Sequence, residues 1–168
     1  MGTFEFLTGF RALHDKVKNG TLTAAERPCY DMARSQLTRM LMVAQQLGYP
    51  GDPLRSSLRM AKMLKVELRP DDGEPIRAST IDLASGGFAV LMGAGMRVGK
   101  KAGFTLNLPA MGGGGTSPIS GRVVVASSRP QTTLFRVSFT FENLEPAAAE
   151  HLEMTLIDAV LERFSQKL

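Results

Sequence analysis

Two segments of this chain combine residue types and spacings suited to chemistry. In Arg55-Ser56-Ser57-Leu58-Arg59 two guanidiniums stand four residues apart, and Asp82-Leu83-Ala84-Ser85-Gly86-Gly87 is expected to form a tight acidic turn. The chemistry they suit is recognition, not bond-making. A guanidinium is a planar fork of donors that fits a phosphate or the O6 and N7 edge of guanine, and it stacks on a base plane. A carboxylate such as Asp82 accepts from guanine's N1–H and exocyclic amine together, a donor pair no other common base presents. Gly86 and Gly87 are expected to take positive φ and let the backbone approach a ligand closely. Taken singly, each feature has a plainer reading: Arg55 and Arg59 as solvated linker charges, Asp82 as a turn cap. Together they describe a guanine-nucleotide pocket, if the fold brings Arg55, Arg59 and Asp82 to one side.

Other chemistry is not legible. His14 and His151 are the only histidines, and neither falls in a metal-ligand spacing, so both read as surface or interface residues. Cys29 follows Pro28 in a first helical turn, but it has no Cys or His partner in sequence and reads as a packed thiol. Asp71-Asp72 beside Gly73 reads as a solvated turn and not a cation site. Gly112 to Gly115 lacks the following Gly-Lys-Ser/Thr of a phosphate loop and reads as a flexible hairpin loop. The ten methionines are scattered and mostly fill cores, with Met40 and Met42 close enough on one helix to suggest a groove. No metal ligand set, cofactor motif or catalytic constellation emerges, so the chain is read as a non-enzyme.

The elements that must position the arginines and Asp82 follow from periodicity. Phe6, Phe10, Leu13 and Val17 recur at spacings of four, three and four, which predicts a helix closed by Asn19-Gly20. Thr23-Ala24-Ala25-Glu26 is a capping box that opens a second helix, with Leu37, Met40, Leu41, Ala44 and Leu47 as its apolar face and Gly48 and Pro50 at its end. Two short helices cannot bury both faces on each other, so this hairpin must dock on the rest of the chain, a second copy or a partner.

From Met63 the period becomes two. Leu64, Val66 and Leu68 alternate with Lys65, Glu67 and Arg69, a half-buried strand. Further strands are expected at Arg77 to Ile81, Phe88 to Met92, Ala102 to Leu108, Arg122 to Ser127 and Leu134 to Phe141. Six short strands with no intervening helix imply an antiparallel barrel or sandwich. Pro146 then starts a last helix with Leu152, Leu156, Val160, Phe164 and Leu168 at intervals of four, expected to lie across one barrel mouth.

With 168 residues, 43% hydrophobic and 21% charged, the composition is globular and excludes disorder as the main state. A single cysteine forms no internal bridge, no run reaches the roughly 20 apolar residues of a membrane span, and the first residues do not read as a signal peptide. The expected location is a reducing cytoplasm without membrane insertion. Twenty basic residues against sixteen acids leave a formal net charge of +4, too modest for a dedicated nucleic-acid binder. The surplus is local: Arg55, Arg59, Lys62, Lys65 and Arg69 face the single acid Glu67, an excess equal to the whole net charge.

Arg55 and Arg59 as RxxxR, followed by Asp82 and Gly87 of a [D/N]xSxxG motif, resemble the PilZ domain, a bacterial receptor family for cyclic di-GMP. The likeness runs from about Arg55 to the C-terminal helix and takes in the Gly-Gly-Phe entering the third strand and the Val-Ser-Phe-Thr-Phe strand. The motif serine is replaced by Ala84, which loses one hydroxyl contact, with Ser85 as its neighbour. The resemblance implies a mainly β fold: a six-stranded antiparallel barrel with a C-terminal helix over 54–168, preceded by the helical hairpin and linker over 1–53. It implies a cyclic di-GMP ligand, without further cofactor, contacted by Arg55, Arg59, Asp82, Ser85, Gly86 and Gly87. It also implies a relay in which binding orders Arg55 to Lys62 and changes how the hairpin meets the barrel or a protein partner, with a homodimer as one form. A PilZ-like adaptor in motility or polarity machinery that no longer binds nucleotide is the runner-up, favoured by Ala84. A small-barrel nucleic-acid binder is a third reading, weakened by the absence of Trp and the inward alternation of the strand phenylalanines.

Overall fold

A computed structural model of the chain describes residues 2–48, 59–110 and 114–165. The chain divides into two compact units, Met1–Leu58 with Leu161–Leu168, and Arg59–Val160.

The first unit holds α1 (Thr3–Asn19) and α2 (Arg27–Gly48). Gly20 closes α1 at φ 71°, with its N–H on the Val17 carbonyl and the Thr21 N–H on that of Lys16, a left-handed stop that suits glycine. The Thr23-to-Glu26 box forms as expected: the Glu26 N–H donates to Thr23 Oγ1 (3.2 Å) and the Thr23 N–H to Glu26 Oε1 (3.1 Å).

The buried face differs from the apolar stripe. Phe10 is buried, but Phe6, Leu13 and Val17 are only half-buried. His14, expected at a surface or interface, is buried instead, its Nδ1 sharing a hydrogen bond with the Tyr30 hydroxyl (3.0 Å) while Phe10 stacks against both rings. On α2 the buried positions are Tyr30, Arg34 and Leu37, Met40 is exposed, and the side chains of 41–48 lie outside those described. Cys29, read as packed, is exposed.

Lys16 Nζ donates to Glu26 Oε2 at 2.6 Å, and this bond, followed by those from Thr23, lowers the Glu26 carboxyl from 4.5 to about 2. A depressed carboxylate stabilises the fold fully above its unfolded value and loses that contribution as pH falls through the folded one. Helical signal is therefore expected to decline as pH drops from about 4.5 to about 2, and Glu26→Gln should flatten that part of an acid titration followed by circular dichroism.

The second unit is the barrel. Its strands are β1 (Arg59–Met60), β2 (Lys65–Pro70), β3 (Ile76–Ala84), β4 (Gly87–Met92), β5 (Lys101–Pro109), β6 (Thr116–Gln131) and β7 (Leu134–Asn143), followed by α3 (Pro146–Ser165). All pairings are antiparallel in the order β1-β3-β2-β5-β6-β7-β4, and β3 also pairs with β4. The six strands β2 to β7 thus close on themselves, the barrel that the resemblance implies and one of the two forms that the alternation allows, with the short β1 added on β3. Three elements depart from expectation: β3 takes in Asp82, Leu83 and Ala84, which the sequence places in the turn. Arg59 is not on a linker but in the two-residue β1, opposite Ala84, and β6 runs far beyond Arg122 to Ser127 in both directions.

The barrel interior is aromatic at its centre. Phe88 packs on Phe104, Phe139 and Phe141 at centroid separations of 5.3 to 5.8 Å, tilted or offset contacts worth about 0.5–1.5 kcal/mol each beyond area burial. Leu68, Leu83, Leu106, Val125 and Val137 complete the layer. Leu152, Leu156 and Val160 of α3 are buried as expected, but so are Met154 and Ile157, giving a wider face than a stripe. His151 Nε2 donates to the Pro109 carbonyl (2.8 Å), tying α3 to the end of β5. Among the described residues no helix is long and apolar enough to cross a membrane.

The Asp71-Asp72 turn is not simply solvated. Arg122 grips Asp71 with both nitrogens (2.8 and 2.7 Å), and Lys100 pairs with Asp72 (2.9 Å). These bonds are the main cause of the lowered carboxyl pKa values of both aspartates.

Candidate functional site

β1 and β3 bring Arg59 of the first motif beside the second. Met60 and Leu83 face each other in register and are buried, so their neighbours Arg59 and Ala84, also in register, lie on the outer face. Asp82 lies two residues back along β3, on the same face as Ala84. Arg55 lies outside the described residues, so its expected place beside Arg59 carries forward as a proposal.

The row containing Asp82 continues across the sheet through Ala89 on β4 to Ser138 on β7, and that containing Ala84 through Gly87 to Thr140. The floor is built of small residues. Between Thr80 and Asp82 the β3–β4 register shifts, a bulge that re-aims the strand at the point where the acid sits.

Asp82 is engaged. Arg136 of β7 donates from Nη2 to Asp82 Oδ2 at 3.3 Å, both side chains being part-buried. Arg136 is the residue sequence reading missed, although its outward place in the alternation of β7 marks it as available to this face. It stands in register with Arg129 of β6, which is exposed and, among the described residues, makes no ion pair. Like charges directly opposite are unfavourable, so the pair leaves cationic surplus around one carboxylate. Such a face suits an anion that also offers N–H donors to Asp82.

The two glycines play another part than expected. Neither Gly86 nor Gly87 is among the positive-φ residues of the described chain, which are Gly20, Gly99, Gly114, Gly115 and Thr132. Gly87 is needed because a Cβ there would lie 1.9 Å from the Phe139 carbonyl oxygen. Its close approach is to the β7 backbone. Ser85 and Gly86 form the exposed two-residue turn between β3 and β4, and the Gly86 carbonyl accepts from the Phe141 N–H (2.9 Å). Ala84 is buried in its row and brings no hydroxyl to the face.

A groove of about 630 Å³ lies on the outer side of β2, β3 and β5, lined by Lys65, Glu67, Arg77, Ser79 and Thr105 among others. It shares β3 with the candidate site but none of its residues. Among the described residues no group of three His, Cys, Asp or Glu is placed to hold a metal ion.

Comparison with known proteins bears on the family and the fold. The family model described as PilZ domain matches residues 53–158. No curated protein matches the chain in sequence. Among solved structures, Bacillus subtilis inhibitor of motility MotI/DgrA superposes with a TM-score of 0.58 at 20% identity, covering 67% of this chain and 54% of its own. The PilZ domain of Escherichia coli YcgR with c-di-GMP gives 0.53 at 20% identity, covering 68% and 96%. The K. pneumonia MrkH–c-di-GMP complex gives 0.54 at 17% identity, covering 68% and 56%. The chain therefore spans about half the length of MotI/DgrA and MrkH.

Proposed function

This chain belongs to the PilZ domain family, and from that membership we propose that it is a non-enzymatic cyclic di-GMP effector that binds the nucleotide on the outer face of β1 and β3. The observation that carries this reading is the pairing of Arg59 with Ala84, which sets the second arginine of RxxxR one row from Asp82 on a shared face. Arg59 supplies the fork for a phosphate or a guanine edge and Asp82 accepts from the guanine N1–H and amine. Arg55, Ser85 and the Gly86-Gly87 backbone complete the contact set. Because Arg136 already holds Asp82, the incoming guanine exchanges one partner of the carboxylate for another and releases Arg136 towards the phosphates. Arg59 to Lys62 are already held on β3, so binding acts on the part of the switch segment that carries Arg55, closing it onto the nucleotide, and is relayed through the N-terminal hairpin to a protein partner or a second copy, an effect limited by the ligand's differential affinity for the two arrangements. The protein works without a further cofactor, in the cytoplasm.

The test is a calorimetric titration with cyclic di-GMP, with GTP as control. Micromolar or tighter binding supports the effector; no heat at millimolar nucleotide overturns it.

The adaptor reading, a PilZ domain that has given up nucleotide and binds a protein of the motility or polarity machinery, has two observations in its favour: Ala84 in place of the motif serine, and a carboxylate already paired. Ala84→Ser separates the two. The position is buried on the ligand-facing row, so a restored hydroxyl adds one hydrogen bond. Affinity is expected to rise by roughly two- to twelvefold, the net worth of about 0.5–1.5 kcal/mol for such a bond. Binding that stays absent in Ala84→Ser favours the adaptor.

A further inference from the structure

We propose that Thr80 is a positioning residue of the nucleotide site: its buried hydroxyl fixes the register in which Arg59 meets β3. The inference rests on the effector reading above and adds to it a residue outside both motifs.

β1 and β2 run along the same edge of β3 as one interrupted strand. Arg59 and Met60 pair with Ala84 and Leu83, and Lys65 to Leu68 pair with Ser79 to Ile76. Extending the second ladder backwards places Met60 opposite Ala84, one position from where it is, so the ladder slips by one residue in the interval 61–64. That interval faces the bulge between Thr80 and Asp82. Ladder bonds cannot run unbroken through a slip, and Thr80 replaces them. Its Oγ1 donates to the Lys62 carbonyl (2.6 Å) and accepts from the Leu64 N–H (2.9 Å), while its own N–H donates to the Leu64 carbonyl (2.8 Å). The side chain is 0% exposed, so water cannot take over these roles.

The consequence for the site is geometric. Strand side chains alternate between faces, so a one-residue change of register turns Arg59 inward and Met60 outward. With only two residues in β1, its own two pairings are too few to hold it against that change, whereas three bonds centred on Thr80 anchor the chain two residues downstream. Without the hydroxyl, the Lys62 carbonyl and Leu64 N–H lose their partner, and the segment can satisfy them only by shifting or opening to water. Arg59 then leaves the row next to Asp82. Thr80 touches no ligand in this scheme; it acts through Arg59.

Thr80→Val keeps the shape and removes the hydroxyl, and Thr80→Ser keeps the hydroxyl. Cyclic di-GMP titration of the full chain should show affinity about tenfold weaker in Thr80→Val and within about twofold of wild type in Thr80→Ser. Hydrogen exchange without ligand should be faster over 59–64 in Thr80→Val, with the amides of β5, β6 and β7 unchanged. If Thr80→Val fails to fold, Thr80→Cys, similar in volume with weak hydrogen bonding, carries the same comparison. Wild-type affinity in Thr80→Val, or faster exchange spread evenly over the barrel, overturns the positioning role and leaves the effector reading standing. A wild-type protein that does not bind cyclic di-GMP overturns both.

Discussion

Gly87→Ala is expected to destabilise the barrel more than any other single change at the candidate site, by roughly 3 kcal/mol or more, at the upper end for overpacking. The new Cβ would meet the Phe139 carbonyl oxygen at 1.9 Å, the Phe139 carbonyl carbon at 2.9 Å and the Thr140 Cα at 3.1 Å. All three are backbone atoms. No rotamer change relieves such a contact, so β7 must move away from β4, straining the pairing from Gly87–Thr140 to Met92–Phe135 and the Phe88–Phe139 stack inside it. A melting temperature lower by about 10 °C is the corresponding result for a chain of this size. Gly93→Ala, with nothing within 4 Å of the added Cβ, is the matched control and should melt like wild type. If Gly87→Ala melts normally, the β4–β7 contact yields more readily than its geometry implies. The result also bears on function: lost nucleotide binding in Gly87→Ala would report a displaced β7, and would not by itself identify Gly87 as a ligand contact.

That lesson marks where sequence and structure part. Alternation locates β2, β5 and β7, because each has one face on a single core, and Leu68, Phe104 and Val137 fall where a period of two puts them, whereas β4 is an apolar run buried on both faces. Of β6 the sequence marks only the middle. Pro118 and Gly121 interrupt its propensity, and two register shifts against β7, at Arg122/Val123 and Val125/Ser127, break the period. β1 has two residues and no pattern at all; it exists because Thr80 and the edge of β3 hold it. In the hairpin the buried layer is partly polar, His14 on Tyr30 with Arg34 nearby in sequence, and counting apolar residues cannot reveal a polar pair satisfied across two helices. Asp82 and Arg59 were legible from residue type and spacing. Arg136 lies 54 residues from Asp82, and its partner becomes visible only when β3, β4 and β7 are laid side by side.

Arg59→Ala is expected to weaken cyclic di-GMP binding by about 1 to 3 kcal/mol, roughly five- to 150-fold, the discrimination typical of one bidentate arginine contact. Stability should hardly change. The side chain is exposed, and alanine preserves the backbone pairing with Ala84 and the buried Met60–Leu83 pair beneath it. Affinity and melting temperature therefore move independently for Arg59, and together for Gly87. Asp82→Ala should cost a similar amount in affinity but by a different route, since it also frees Arg136 beside Arg129. Two unneutralised arginines attract phosphate more strongly, and that gain is screened by salt. The loss in Asp82→Ala should consequently grow with ionic strength, while the loss in Arg59→Ala should shrink, because that variant removes a cation. Calorimetry of both variants at low and high salt reads these opposite slopes directly. Parallel slopes would mean that Arg136 does not share the ligand's field with Asp82, and an Arg59→Ala protein that fails to fold would make the arginine structural and displace the site from this face.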